Sequence, residues 1–295
     1  MISSRITGLL SACFAASLLF SQPRMASAAD FSQIPASAQA PVSVSIHGEI
    51  RDGDFEKFRA FLLLPGNLKA YTNYIWLDSQ GGNVIEAMKF ANLFEKSTAS
   101  VMVGSEARCH SACFIMFAGG ADRVLYPFGE LGVHQITVTA PGASTATHTG
   151  LLQAFSSQVA SYLLAQGVPQ AVLEEMRNTP ASSMFILDRH MLSRKRWNRT
   201  LLMQPGFLDR VEKACGPHPE PDKSLFERQR DDIARERMKP WTACKLQLQD
   251  QETRSFVKAE LALVQAGKPA MLFATDKAKD ADAAISAFNH GSTQR

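Results

Sequence analysis

The stretch EARCHSACFIMFAGG, from Glu106 to Gly120, sets a serine between two cysteines and in front of an apolar run. A serine becomes a nucleophile when a neighbouring group takes its proton and nearby donors stabilise the oxyanion its attack creates. Ser111 stands where a strand and a short link give way to a helix. The positive end of the helix dipole and the N–H of Ala112 therefore face the place where an oxyanion would form. A second stretch, SQGGNVIEAM from Ser79 to Met88, puts a double glycine just past a buried strand and ahead of a helix. Gly81 and Gly82 leave backbone N–H groups uncovered by any Cβ, a further source of oxyanion donors. A third stretch, GVHQI from Gly132 to Ile136, carries His134 inside an apolar strand, where a general base is held firmly. Taken singly, each has an ordinary structural explanation: a strand-to-helix turn, an N-cap serine and a satisfied core histidine. Their order and spacing together point to one chemistry, attack by Ser111 assisted by His134.

The elements that must position these residues alternate. Val42 to Ile50 alternates apolar and polar residues like a strand, and Asp52 to Leu64 has a capping Asp and the helical spacing of Phe55, Phe58 and Leu62. Asn73 to Ser79 reads as a buried strand, Asn83 to Lys96 as a helix and Ala99 to Gly104 as another strand. The Ser111 stretch follows as turn and helix, and Asp122 to Tyr126 and Leu131 to Val138 are two more strands. This rhythm predicts an α/β fold with parallel strands. Thr139 to Gly150, small and polar, reads as a mobile loop. Helical patterns run from Leu151 to Leu164 and from Pro169 to Arg177, and Thr179 to Leu187 reads as a turn and a short extended piece. Past Gly206 the composition changes to two separate helices, Leu225 to Lys239 and Glu252 to Gly267.

These pieces, in this order, resemble the Clp protease proteolytic subunit and the wider Clp protease/crotonase superfamily. They also resemble a group of exported, uncharacterised bacterial proteins with that fold. The resemblance covers roughly Val42 to Thr200 and is carried by I-x-G-x-I (Ile46 to Ile50), LDSQGG (Leu77 to Gly82), HSACF (His110 to Phe114) and VHQ (Val133 to Gln135). It implies a spiral of β-β-α units with a helical C-terminal extension, Ser111 as nucleophile, His134 as base, and Gly81, Gly82 and Ala112 at the oxyanion hole. It also implies homo-oligomers, although the extension could cap the interface. The family's triad aspartate precedes a short strand led by an aromatic residue. The matching place here, ASSMFIL (Ala181 to Leu187), offers Ser182 and Ser183 and no carboxylate, while Asp188 lies beyond the strand. The third member is therefore Ser183, a backbone carbonyl, Asp188 or nothing, and a histidine without its acid loses much of its power.

The chain has 295 residues, 45% hydrophobic and 20% charged, with net charge +3. That is globular material, and its cations are scattered apart from Arg194 to Arg199, which argues against a nucleic-acid partner. Arg5, the apolar stretch Ile6 to Phe20 and the small residues Ala26 to Ala28 have the layout of a cleavable signal peptide, residues 1–29. Leu10 to Cys13 resembles a lipoprotein box, but cleavage there would cut the apolar stretch in half. No later segment approaches the length of a membrane span. The expected organisation continues with a flexible leader over 30–41, a catalytic domain over 42–204, a helical extension over 205–275 and a loosely ordered tail over 276–295. Without Cys13, four cysteines remain: Cys109, Cys113, Cys215 and Cys244. An oxidising compartment suggests disulfides, with all pairings open, or else small buried thiols. One helical turn would place Cys109 and Cys113 about 6 Å apart, within disulfide reach, and that bridge would brace the turn that presents Ser111. The histidines show no metal-ligand spacing, and no phosphate loop is present, so neither metal nor cofactor is expected. The expectation is an exported serine peptidase that acts on peptides or unfolded chains without ATP. Its rivals are a non-catalytic binding module of the same fold and acyl-CoA chemistry, which export disfavours.

Overall fold

The computed structural model describes residues 28–38, 40–137, 144–187, 203–219, 228–274, 276 and 280–281. Five strands form one sheet in the order β1 (Asp30–Ile34), β2 (Ser43–His47), β3 (Ile75–Asp78), β4 (Ser100–Val103) and β6 (Asp122–Leu125). β1 runs antiparallel to β2, and every other neighbour pair is parallel. A smaller sheet holds β5 (Arg108–His110), β7 (Glu130–Val133) and β8 (Phe185–Ile186), with β5 and β7 parallel and β8 antiparallel. The two sheets meet at Ser79, which continues β3. Its N–H donates to the carbonyl of Arg108, and its own carbonyl accepts from His110. The chain is α/β with mainly parallel strands, as the sequence rhythm predicts.

The helices close over this frame for local reasons. α1 (Asp54–Leu62) buries Phe55, Phe58 and Leu62 and is followed by α2 (Asn67–Asn73), which the sequence pattern did not reveal. The buried carboxylate of Glu86 accepts the Phe55 N–H at 2.8 Å, satisfying one of the orphan donors of the α1 N-terminus. α3 (Val84–Lys96) starts at Asn83, whose side chain accepts from the N–H groups of Ile85 and Glu86. α4 (Ala112–Gly119) is buried on every side, as its sequence ACFIMFAG requires. It lies against α3 so closely that a Cβ on Gly119 would come within 2.4 Å of the Ala91 carbonyl oxygen. Between α1, α3 and β1 the rings of Phe31, Phe55, Phe58, Phe90 and Phe94 interlock, with Phe55 and Phe90 edge to face at 5.3 Å.

Several elements depart from the sequence reading. The segment expected as a leader contains β1, whose Phe31 packs on the aromatic cluster. Of the expected signal peptide only Ala28 and Ala29 are among the described residues, and Ala28 bridges Glu49. Helix α5 (Thr145–Ala165) begins inside the expected loop, because the Ser144 side chain caps it by accepting the Thr147 N–H. It is followed by α6 (Gln170–Asn178). In the extension, α7 (Pro205–Cys215) precedes one continuous helix, α8 (Arg228–Gln265), in place of two. Pro240 removes one helical N–H, but α8 is held around it, with Met238 packed on a second core before it and further contacts after it. Trp241 joins Phe207 and Val211 in a small second core, Lys245 pairs with Asp122 at 2.6 Å, and Gln249 donates to the Thr98 carbonyl. Ala281, within the expected loose tail, is buried. Among the described residues, no helix is long and apolar enough to cross a membrane.

Phe90 touches most rings of the aromatic cluster and is fully buried. Phe90→Ala is expected to cost about 3–5 kcal/mol of stability, read from the midpoint of urea unfolding.

Candidate active site

Ser111 is the joint between β5 and α4. Its N–H donates to the Gly132 carbonyl at 2.8 Å, so the β5–β7 pairing runs up to the serine itself, and one residue later the chain is helical. The turn is made at Ser111 with φ 54° and ψ −122°, a left-handed backbone that a side chain opposes. Such a residue stores about 1–3 kcal/mol of strain. The neighbouring chain must leave room for it. A Cβ on Gly81 would lie 2.7 Å from the Ser111 Cβ and from the His110 carbonyl oxygen, and one on Gly82 would lie 2.1 Å from the Ile50 carbonyl oxygen. Both glycines also have positive φ, 100° and 135°. They are required for close approach as well as for turning.

Ser111, Ala112, Gly82 and His134 line one cavity of about 490 Å³. Its remaining wall is mostly apolar: Val84, Ile85, Ile115, Ile136, Leu151, Phe155 and Met176 contribute. The Ala112 N–H belongs to the first turn of α4, where helical amides have no intrahelical acceptor. The Gly81 N–H is already engaged, donating to the Ser79 hydroxyl at 3.0 Å. His134 follows directly on β7 and is half-buried. Two bonds hold the next residue: the Gln135 N–H donates to the Thr179 carbonyl at 2.9 Å, and its side-chain amide donates to the Arg177 carbonyl at 2.7 Å. The imidazole is thus fixed between a strand and an anchored segment. Burial holds its pKa below the usual histidine value, against a smaller opposing contribution from the Gln135 backbone. It therefore stands neutral at pH 7, the state a general base needs.

The Nδ1 of His134 is buried and, among the described residues, has no hydrogen-bond partner. The sequence offered two side chains for that atom. Ser183 is exposed, with its N–H bonded to the Pro180 carbonyl, and among the described residues no bond joins its hydroxyl to His134. Asp188 lies outside the described residues. Ser111 and His134 share the cavity without a direct hydrogen bond, an arrangement common in serine–histidine sites before substrate tightens them. A second histidine, His110, stands beside Ser111 in sequence but not in the cavity. Its ring packs beneath Gly132 and its Nε2 lies 3.2 Å from the Glu130 carboxylate. Burial lowers its pKa more strongly than Glu130 raises it.

Cys109 and Cys113 are paired, as are Cys215 and Cys244. The first bridge does not span a helical turn. It ties β5 to α4 across the break at Ser111, with a Cα–Cα distance of 5.0 Å and both cysteines fully buried. The second joins α7 to α8. Sequence reasoning missed the anchoring role of Gln135 and the Ser79 hydroxyl. Both sit within the stretches it singled out. The partners of Gln135, at Arg177 and Thr179, are remote in sequence, while the Ser79 hydroxyl meets the Gly81 N–H only once the chain has turned.

Among solved structures, a mutant of ClpP1 from Listeria monocytogenes is similar to this chain, with TM-score 0.39 and 18% identity. The match covers 50% of this chain and 83% of that one. A mutant of the membrane-bound stomatin-specific protease 1510-N is similar with TM-score 0.38 and 15% identity, over 58% of this chain and 83% of that one. No family model and no curated protein matches the chain.

The strained turn gives one expectation free of any assumption about activity. Glycine tolerates φ 54° where alanine does not, so Ser111→Gly should be more stable than Ser111→Ala by about 1 kcal/mol. The bridge gives another. By the loop-entropy relation, Cys109→Ala with Cys113→Ala should cost about 2 kcal/mol, read from thermal unfolding under non-reducing conditions.

Proposed function

We propose that this chain is a serine peptidase working through a Ser111–His134 dyad. The observation that carries the reading is the coincidence, in one apolar cavity, of a serine held at a strained strand-to-helix turn, a first-turn amide and a neutral histidine. In the acylation step, the Ser111 hydroxyl oxygen bonds to the substrate carbonyl carbon as His134 takes its proton. The oxyanion rests against the Ala112 N–H, with Gly82 on the facing wall. Gly81 contributes by having no side chain, since its N–H is held by Ser79. The carbon–nitrogen bond then breaks, and His134 returns the proton to the departing amine. Water, deprotonated by His134, attacks the acyl-enzyme, releases the acid product and restores the serine.

The apolar wall favours a hydrophobic residue beside the scissile bond, in a peptide or unfolded chain. The N-terminal layout, together with two disulfides, supports an exported enzyme, and such an enzyme acts without an ATP-driven unfoldase. One observation favours a second reading. The Nδ1 of His134, without a partner among the described residues, would suit a chain that kept the groove to bind peptides and gave up catalysis. A fluorophosphonate probe separates the two. The peptidase reading expects covalent labelling of the wild type and none of Ser111→Ala, whereas a folded wild type that stays unlabelled supports the binding module. Turnover should also follow the titration of His134. The protonated ring cannot accept the serine proton, so kcat/KM should be level near pH 7–8 and fall only below the usual imidazole pKa of about 6.5, because burial lowers that of His134.

A further inference from the structure

Beside the cavity of Ser111 and His134 lies a second of about 440 Å³, enclosed by α5, α6 and the segment after β7. Gln135, Ile136 and Met176 line both, so these side chains form the partition between them. The partition is firm, because Gln135 is bonded by backbone and side chain to the end of α6. The two spaces differ in chemistry. Among the described residues, the only titratable side chain on the first is His134. The second presents Ser156, Ser157 and Gln153 among apolar residues, and among the described residues its only charged lining residue is Arg177, with no aspartate or glutamate on its wall. Among the described residues, the Arg177 guanidinium makes no ion pair or hydrogen bond. Glu174, one turn earlier on α6 and exposed, does not pair with it.

We propose that this second cavity is a subsite for a carboxylate of the bound peptide, held by Arg177, so that the enzyme selects substrates with a negative charge a short distance from the apolar residue beside the scissile bond. The inference rests on the peptidase reading. Alternate side chains of an extended peptide lie about 7 Å apart on one face. A peptide crossing the Gln135–Ile136 partition can therefore place an apolar side chain in the first cavity and a carboxylate in the second. A guanidinium flanked by hydroxyl and amide donors matches a carboxylate's paired acceptor oxygens, while no described residue on that wall would neutralise a lysine or arginine. The carboxylate belongs either to an aspartate or glutamate side chain or to the peptide's own C-terminus.

The test uses the full chain carrying Ser111→Ala, which binds without cleaving, and fluorescence anisotropy with labelled heptapeptides built around one central phenylalanine. One set has an amidated C-terminus and a single Glu moved along the chain, each paired with its Gln analogue. The other is all-neutral and ends at successive positions with a free carboxylate. Arg177 is exposed, so the preference is modest, about fivefold in Kd. Tighter binding of one Glu position assigns the side-chain source, and tighter binding of one free terminus assigns the other. In either case Arg177→Gln should abolish the preference, Arg177→Lys keep part of it and Arg177→Glu turn it towards a lysine-bearing peptide. If peptides bind but ignore the carboxylate, or the preference survives in Arg177→Gln, the subsite is wrong and the peptidase reading stands. If no peptide binds a chain with native circular dichroism, the peptidase reading falls and the subsite with it.

Discussion

Everything at the site depends on one close approach of backbone to backbone. The end of β3 passes the Ser111 turn at a distance that admits no side chain at Gly81, and beyond it Gly82 presses on Ile50. This contact places a left-handed serine, a first-turn amide and the continuation of β3 around a single point. The Ser111 N–H bond to Gly132 secures the turn from the β7 side, and the Cys109–Cys113 bridge ties the strand before it to the helix after it. A strained residue persists only where its surroundings over-determine it. Here they do so from three directions: strand, partner strand and disulfide.

The same frame decides the electrostatics. His134 is held in a cavity whose wall is largely apolar, so burial disfavours its charged form and keeps it ready to accept a proton. In a full triad a carboxylate beyond the histidine fixes its tautomer and stabilises the imidazolium formed during the reaction. At His134 the Nδ1 position has no such partner among the described residues. The anchored Gln135 and the packing around it hold the ring instead. On the dyad proposed above, the chemistry would lean on oxyanion donors and on positioning. The bonds from α8 to Thr98 and Asp122 brace the far edge of the larger sheet, away from the serine.

The site was legible in the sequence because its requirements are local. Gly81 and Gly82 mark a close approach, Ser111 stands at the head of an unbroken apolar helix, and His134 follows an apolar strand, which ends at Val133 and not at Val138 as its pattern suggests; each leaves a trace within a few residues. The main strands and the long helices α3 and α5 were readable for the same reason, since their burial period is written along the chain. What was not legible depends on partners far away. β1 has an exposed, polar pattern and becomes a strand only by pairing with β2. β5 is three residues long and is defined by β7 and Ser79. The helical pattern ending at Lys239 continues through Pro240 in the fold because Trp241 and Lys245 dock on other elements. The spacing of Cys109 and Cys113 suggested one helical turn, whereas the bridge spans a strand and a helix that meet at Ser111. The Arg177 side of the second cavity gave no sequence signal at all, because α5 and α6 meet there only in the folded chain.

The most direct test of the account is a covalent map of the site with a peptide chloromethyl ketone carrying a hydrophobic residue next to its reactive carbon. Such a reagent bonds to a nucleophilic serine through its carbonyl and to the catalytic histidine through its methylene. A crystal structure of the treated protein should show a single inhibitor joined to both Ser111 Oγ and His134 Nε2, with its hydrophobic side chain against Ile115 and Phe155. Attachment to neither residue in a natively folded protein, or attachment elsewhere with the cavity left empty, would contradict it.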